Sequence, residues 1–395
     1  MDMLLKLAIV VFAGYLGGHL AKFIRLSNIF GFVMAGFLLG PSCLKLLSNY
    51  DLTSLTILLE MAVAILAFKV GSEFVVRDMR KLGKPFVVIT LSEVMGTVLV
   101  VFLAMYFLFQ QNVVFSLMLA SLAAVTAPAA TIMVMRQYRA DGPVTRMLLP
   151  VTALDGVLGV VLFGIATSIA RVFAQGIDIN VWQMVIKPVV QIFGGLALGA
   201  LFGLALTFLG QKAGDSDELL VITITMILAC TGVAKALTLS PLLANVMMGA
   251  ILVNLTPNSN RVFFGLNHFT PPLYVLFFTL AGAGLHLAML WDVGLLVLGY
   301  FLARAVGKLV GSWVGARSVG AEPAVQKYLG LALLPQGGLT IALAVLVRQH
   351  LPDISMAITA IIVVSVLLYE IIGPFIAKTT FQMAGEIRGM GSTIR

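Results

Sequence analysis

The chain alternates long apolar runs with short polar or Pro/Gly-rich breaks, a pattern that predicts membrane-spanning helices. A helix needs about 20 apolar residues to cross the hydrocarbon core of a bilayer. Cutting the chain at its breaks gives thirteen runs of about this size, of which the ninth is short. They cover roughly residues 3–21, 28–47, 52–71, 85–109, 113–135, 146–171, 181–210, 218–238, 240–254, 266–290, 292–316, 324–348 and 353–379. We therefore predict an all-α polytopic membrane protein with about thirteen transmembrane helices.

Composition supports this class and excludes others. Hydrophobic residues make up 60% of the chain and charged residues 11%, whereas a soluble domain carries about 25% charged residues. The net charge of +8 comes from residues scattered over short loops, which does not indicate a nucleic-acid surface. Cys43 and Cys230 lack metal-ligand spacing. We expect the lipid bilayer as the protein's surroundings, no cofactor and no nucleic-acid partner.

Basic residues between the runs predict the orientation in the membrane. They concentrate on alternate loops, for example Arg77, Arg80, Lys81 and Lys84, and cytoplasmic loops collect Lys and Arg. This asymmetry predicts a multi-pass protein of the cell membrane with its N-terminus outside and its C-terminus in the cytoplasm.

Two of the runs are interrupted near their middle. The fifth contains Ala127 and Pro128, and the twelfth contains Pro335, Gln336 and Gly337. The two runs hold equivalent places in two six-helix halves joined by the seventh run, which therefore inverts the second half. Matched interruptions predict two crossed broken helices whose free backbone groups face a transported ion. The alternative is that each proline only kinks a packed helix.

Asp155 is the leading candidate for an ion site, since it lies deep within the run LLPVTALDGVLGVVLFGIA. Ionised Asp at a helix centre costs roughly 2.5 to 3.5 kcal/mol, so a carboxylate at this depth marks a proton or ion pathway by default. Thr126 and Thr152 can add oxygen ligands, although a threonine in a membrane helix often bonds its own helix. An Asp that only hydrogen-bonds a broken-helix backbone is the alternative.

Further charged residues lie at membrane depth. Arg304, near the centre of the eleventh run, requires an acidic or a backbone partner, and Asp155, Glu93 and Glu370 are its acidic candidates. Glu93 can equally help to bind the ion. A clamp on broken-helix carbonyls is the alternative for Arg304. We expect Lys308, one turn further on, to extend its ammonium group to the membrane surface.

The runs RLSNIFGFVMAGFLLGP, LLEMAVAILAFKVGSEF, TAPAAT and LGLALLPQGGLTIALA, together with Asp155, resemble the monovalent cation:proton antiporters, particularly the cation:proton antiporter 2 family. The resemblance implies an NhaA/NapA-like inverted-repeat fold and a homodimer. It divides the chain into a dimerisation scaffold (1–80 and 216–290), a core that carries the ion (81–175 and 291–380), a linker helix (176–215) and a short cytoplasmic tail (381–395). In this fold the core slides against the scaffold, in an elevator-type motion.

The same resemblance assigns roles to individual residues. Asp155 matches the family's essential cation-binding aspartate, Thr126 its broken-helix threonine, and Arg304 its basic residue. Electrogenic members carry two adjacent aspartates and a lysine, whereas this chain has Leu154 before Asp155. The resemblance therefore implies one-for-one, electroneutral exchange. Ala127 replaces the acid of the commoner TDPAAT.

We expect a secondary transporter, not an enzyme, that exchanges Na+ or K+ for H+ with Asp155 as the shared site. Two alternatives keep the same fold: the membrane part of a ligand-gated K+ efflux system with a separate regulatory subunit, and a non-transporting ion or pH sensor. An intramembrane aspartyl protease needs two facing aspartates. Asp155 is the only Asp deep within a run, so we reject this class.

Overall fold

A computed structural model of the chain describes residues 2–23, 26–77, 83–127, 129–174, 181–256, 259–285 and 287–387. All regular secondary structure in these ranges is helical, and a π-helix (Ala104–Leu108) directly continues α5. The helices are α1 (Met3–Phe23), α2 (Asn28–Leu39), α3 (Asn49–Ser54), α4 (Thr56–Ser72), α5 (Lys84–Leu103), α6 (Val113–Ala124), α7 (Ala129–Gln137), α8 (Pro143–Ala174), α9 (Val181–Lys212), α10 (Ser216–Ala236), α11 (Pro241–Leu255), α12 (Asn260–Ala283), α13 (Leu287–Ser318), α14 (Pro323–Ala332), α15 (Gly338–His350) and α16 (Pro352–Met383).

The predicted all-α membrane fold is confirmed. Each predicted run contains at least one helix, and within the described residues 7 helices are long and apolar enough to cross a bilayer. The remaining runs contain shorter apolar helices, among them α2, α6, α11 and α15. The number of crossings stays a prediction.

Both predicted interruptions lie between pairs of short helices. The first separates α6 from α7, and Val125 leaves α6 with extended backbone angles. The second separates α14 from α15, where Gly337 is also extended and Pro335 has no N–H to continue a helix. Pro128, predicted as part of the first break, lies outside the described residues.

The chain forms two compact units. The first unit comprises Met1–Ala21, Gly31–Met79 and Phe163–Leu285, and the second unit comprises Lys22–Phe30, Arg80–Leu162 and His286–Arg395. The boundary within α8 places its last part and all of α9 in the first unit. The assignment of parts of the chain to a dimerisation scaffold and an ion-carrying core stays a prediction.

A capped short helix organises the beginning of the first unit. The Lys6 ammonium group lies 2.6 Å from a carboxylate oxygen of Asp51, and Ser48 and Asp51 form a capping box at the start of α3. Hydrogen bonds from Lys6 and then from Ser48 lower the pKa of Asp51 to about 2. Asp51 therefore stays ionised down to strongly acidic pH, and α1 stays attached to α3.

In the second unit, α5 and α13 cross at close range because α13 presents glycines to α5. Gly307, Gly311 and Gly315 recur every fourth residue and so lie on one helix face. A Cβ atom at Gly311 would lie 2.8 Å from the Cα atom of Glu93, and the Ser92 hydroxyl donates a hydrogen bond to the Gly311 carbonyl (2.9 Å). Small residues let membrane helices approach this closely. The crossing brings Lys308 of α13 to Glu93 of α5.

We expect Gly311→Ala to destabilise the protein because the added methyl group has no room against α5. Overpacking of this kind costs about 1–3 kcal/mol, which a lowered melting temperature of the purified protein in detergent will show. Gly294→Ala, in the same helix, is the matched control, since a Cβ there meets no atom of the described residues within 4 Å. Equal melting temperatures for the two variants would contradict the close packing.

Candidate ion site

The two broken helices cross within the second unit and bond to each other. The Ala127 N–H donates to the carbonyl of Pro335 (3.2 Å). The Gln336 amide donates to the Leu122 carbonyl (3.2 Å) and to the Tyr300 hydroxyl (2.9 Å). Three of the predicted break positions, Ala127, Pro335 and Gln336, thus meet at one place. The breaks leave further carbonyls there without helical partners.

Arg304 binds these carbonyls. Its guanidinium group donates to the carbonyl oxygens of Ala123 (3.0 Å), Val125 (3.0 Å) and Leu334 (2.5 Å), and it lies over the Tyr369 ring, 4.7 Å from the centroid. The side chain is fully buried. Helix C-termini carry partial negative charge, which favours a cation at this position. Arg304 was predicted to bind either an acidic side chain or the carbonyls of the broken helices, and the structure shows the carbonyls. In the described part of the chain no carboxylate forms an ion pair with Arg304.

Lys308 lies among four oxygen atoms. Its ammonium nitrogen is 2.5 Å from Glu93 Oε1, 2.6 Å from the Ala124 carbonyl, 2.7 Å from Thr126 Oγ1 and 3.1 Å from Asp155 Oδ2. An ammonium group has three protons for these four acceptors. The Lys308 side chain has no exposed surface, so the prediction that it reaches the membrane surface is wrong. The basic residue beside Asp155 is Lys308, not Arg304.

The sequence contains a signal for this position of Lys308. Residues four apart lie on one face of a helix, so Lys308 shares the inward face with Arg304. It is also adjacent to Gly307 and close to Gly311, which lie against α5. A lysine next to a glycine contact face points to the interior of the bundle, whereas snorkelling requires the opposite face.

Asp155 is brought to the first break by the packing of α8. One turn beyond it, a Cβ atom at Gly159 would lie 2.5 Å from a methyl group of Val125, so α8 lies directly against the break. Asp155 is fully buried. While its Oδ2 atom contacts Lys308, its Oδ1 atom has no hydrogen-bond partner among the described residues. This oxygen is free to bind a proton or a cation.

Glu93 is held more tightly than Asp155. The Thr97 hydroxyl, one turn later on α5, lies 3.2 Å from Glu93 Oε1 and donates to the Glu93 carbonyl (2.8 Å). The same Oε1 atom accepts from Lys308 at 2.5 Å. The Oε2 atom is buried and has no partner in the described ranges. Thr97, like Tyr300 and Tyr369, was not among the predicted site residues.

Two other predicted residues lie apart from Lys308. The Thr152 hydroxyl donates to the Leu149 carbonyl of its own helix (2.9 Å), as threonines in membrane helices often do. Glu370 lies beside Gly337, where an added Cβ would be 3.7 Å from Glu370 Oε1. The suggested pairing of Glu370 with Arg304 is not observed.

Buried charges at crossed broken helices in a membrane bundle define the class as a secondary transporter. The family model described as "Sodium/hydrogen exchanger, transmembrane" matches residues 7–382. The chain belongs to this family.

Relatives support the same assignment. The chain is 20% identical to the high-affinity Na+/H+ antiporter NhaS3 of Synechocystis sp., over 96% of this chain and 90% of that protein. A structure of the sodium proton antiporter MjNhaP1 from Methanocaldococcus jannaschii at pH 8 has a TM-score of 0.79 and 18% identity, over 98% of this chain and 99% of the other. An electron microscopy structure of MjNhaP1 gives a TM-score of 0.68 and 17% identity, over 100% of both chains.

These findings confirm a monovalent cation:proton antiporter, a multi-pass membrane protein and a secondary transporter rather than an enzyme. The placement within the cation:proton antiporter 2 branch stays a prediction.

We expect Lys308→Met to destabilise the protein strongly, because it leaves Glu93 and Asp155 buried without a cation. Removing one partner of a buried ion pair costs about 3–5 kcal/mol. Adding Glu93→Gln removes one of the two uncompensated charges, so the double variant will unfold at a higher temperature than Lys308→Met alone.

The matched control is the exposed pair Lys235–Glu60. The same two substitutions there, Lys235→Met and Glu60→Gln, will change stability by about 1 kcal/mol or less. Equal melting temperatures for Lys308→Met and Lys235→Met would contradict the large contribution to stability that we expect from the buried ion pair.

Proposed function

We propose that the protein exchanges a monovalent cation, Na+ or K+, for H+ and that Asp155 binds the two ions in turn. The observation that carries the proposal is the Asp155 carboxylate itself, fully buried at the broken helices with one oxygen atom unpartnered in the described residues. An oxygen atom without exposed surface is removed from bulk solvent, so it gains from binding either a proton or a cation.

The surroundings of Lys308 suggest how a cation competes there. Oxygen atoms of Glu93, Ala124, Thr126 and Asp155 surround its ammonium nitrogen, and Na+ and K+ are hard cations that take oxygen ligands. A cation that approaches Asp155 replaces the ammonium group at Oδ2 while Lys308 keeps its shorter contact with Glu93. Thr126 and the free Oδ1 atom then complete the ligand set together with Asp155 Oδ2.

The charges favour one-for-one exchange. Glu93 balances Lys308, and the carbonyl dipoles stabilise Arg304. Asp155 is then the carboxylate whose state changes between the two halves of the cycle. The site carries the same net charge with Asp155 protonated as with a monovalent cation bound to it, so the membrane potential does no net work on the exchange.

The transport motion belongs to the same proposal. Glu93, Ala124, Thr126 and Asp155, whose oxygen atoms contact Lys308, are in the second unit, so an elevator-type movement of this unit as one body would carry the site intact. We further propose that the first unit supplies the scaffold of a homodimer in the cell membrane, with the N-terminus outside and the C-terminus in the cytoplasm.

We expect Asp155→Asn to abolish cation-driven proton flux in proteoliposomes, because the amide neither releases a proton nor balances a cation. Imposed Na+ and K+ gradients on separate samples will identify the better ion. Asp141→Asn is the control: Asp141 is more than half exposed and pairs with Arg146, so this variant will transport like the wild type. Equal flux in Asp155→Asn and wild type would contradict the proposal.

We expect the membrane potential to leave the exchange unchanged. In vesicles with equal K+ on both sides, the Na+-driven proton flux will be the same with valinomycin, which clamps the voltage to zero, as without it. A faster flux under the voltage clamp would show that each cycle moves net charge and would contradict one-for-one exchange.

A further inference from the structure

Glu386 is a buried carboxylate outside the ion site, beyond the end of α16. Only 3% of its surface is exposed. Its Oε1 atom accepts from the Val144 N–H (2.6 Å), and its Oε2 atom accepts from the N–H (2.9 Å) and the hydroxyl (2.6 Å) of Thr145. The Glu386 carbonyl accepts a fourth bond, from the Asp141 N–H (3.0 Å). One residue thus binds the first turn of α8 with its side chain and the segment just before α8 with its backbone carbonyl.

The end of α16 is shaped to deliver this carboxylate. Gly385 has a φ angle of 73°, a left-handed conformation that glycine adopts without strain. The Glu386 N–H bonds to the Phe381 carbonyl (2.9 Å) and the Gly385 N–H to the Gln382 carbonyl (3.0 Å), which together form a Schellman motif. The motif ends α16 and fixes the direction in which Glu386 leaves it.

The segment before α8 leaves room for the Glu386 side chain. A Cβ atom at Gly142 would lie 2.4 Å from Glu386 Cγ, so the carboxylate side chain occupies space that only glycine leaves free. The bonds satisfy N–H groups that the first turn of a helix cannot pair internally, and a negative charge is favourable at a helix N-terminus.

The helix that Glu386 binds is the one that carries Asp155. Asp155 lies roughly 16 Å further along α8, at 1.5 Å rise per residue. Pro150 lies between the start of α8 and Asp155, and it removes one backbone hydrogen bond from the helix. The first turns of α8 therefore depend on more than the hydrogen bonds within the helix. Resting on the proposed function, we infer that Glu386 is a positioning residue: by fixing the start of α8 to the end of α16, it sets where Asp155 stands relative to Lys308 and Thr126.

A positioning role differs measurably from a merely structural one. Displacement of Asp155 weakens cation binding in the protein that remains folded, whereas simple destabilisation lowers the amount of folded protein without changing the affinity. The readout is therefore the Na+ dissociation constant, obtained from the rise of the melting temperature of the purified protein with Na+ concentration, with K+ in parallel, and the half-saturating concentration of proton flux in proteoliposomes.

Four variants test the inference. We expect Glu386→Ala to raise the half-saturating concentration about tenfold, since small misplacements at an ion site have effects of this order or more. Gly142→Ala will act in the same direction because its methyl group displaces the Glu386 side chain. Glu386→Gln keeps one carbonyl acceptor and will lie between Glu386→Ala and wild type. Glu322→Ala is the control, because Glu322 also precedes a helix, α14, but makes no side-chain capping bond.

An unchanged half-saturating concentration in Glu386→Ala and Gly142→Ala would overturn the inference, whatever their melting temperatures. If Glu386→Ala does not fold, Gly142→Ala and Glu386→Gln decide in the same way. A wild-type protein without cation-dependent stabilisation or proton flux would overturn the proposed function and this inference together, so the two failures are distinguishable.

Discussion

The second unit depends on burying two cationic side chains, Arg304 and Lys308, neither of which has exposed surface. A charge removed from water costs several kcal/mol unless nearby groups replace its hydration. An unpaired carbonyl group at membrane depth is also costly. The broken helices resolve both costs at once: their interruptions free carbonyls at Ala123, Val125 and Leu334, and Arg304 binds these carbonyls. Neither the breaks nor the guanidinium group would be stable alone.

Close helix packing then separates the two carboxylates into different roles. The glycine face of α13 presses Lys308 toward α5, where Glu93 is also restrained by Thr97. Asp155 arrives from another helix and makes the longer contact with Lys308, with one oxygen left over. The less restrained carboxylate is the one suited to exchange its ligand, because a proton or cation there competes with a single, weaker contact.

Helix α8 links this site to the end of α16. It is fixed at its start by Glu386 and, beyond Asp155, by the contact of Gly159 with Val125. The Schellman motif at Gly385 and the break at Val125 therefore both help to hold α8 in place. Geometry at an ion site is maintained by residues that never touch the ion, since a ligand is only as well placed as the helix that carries it.

Sequence alone was enough to predict the all-helical membrane fold, the two interruptions and the burial of Asp155, because apolar run length, proline and a deep carboxylate have local physical consequences. It also narrowed the possible partners of Arg304 to backbone carbonyls or the side chains of Asp155, Glu93 and Glu370. The tertiary structure was needed to show that carbonyls bind Arg304, that Lys308 points inward and that Glu386 reaches α8. Most of these contacts join residues more than 150 positions apart in the chain, as Lys308 and Asp155 are (|i−j| = 153), whereas the contact of Arg304 with the Leu334 carbonyl spans 30 positions. They also depend on which helix face is buried. A single sequence records neither.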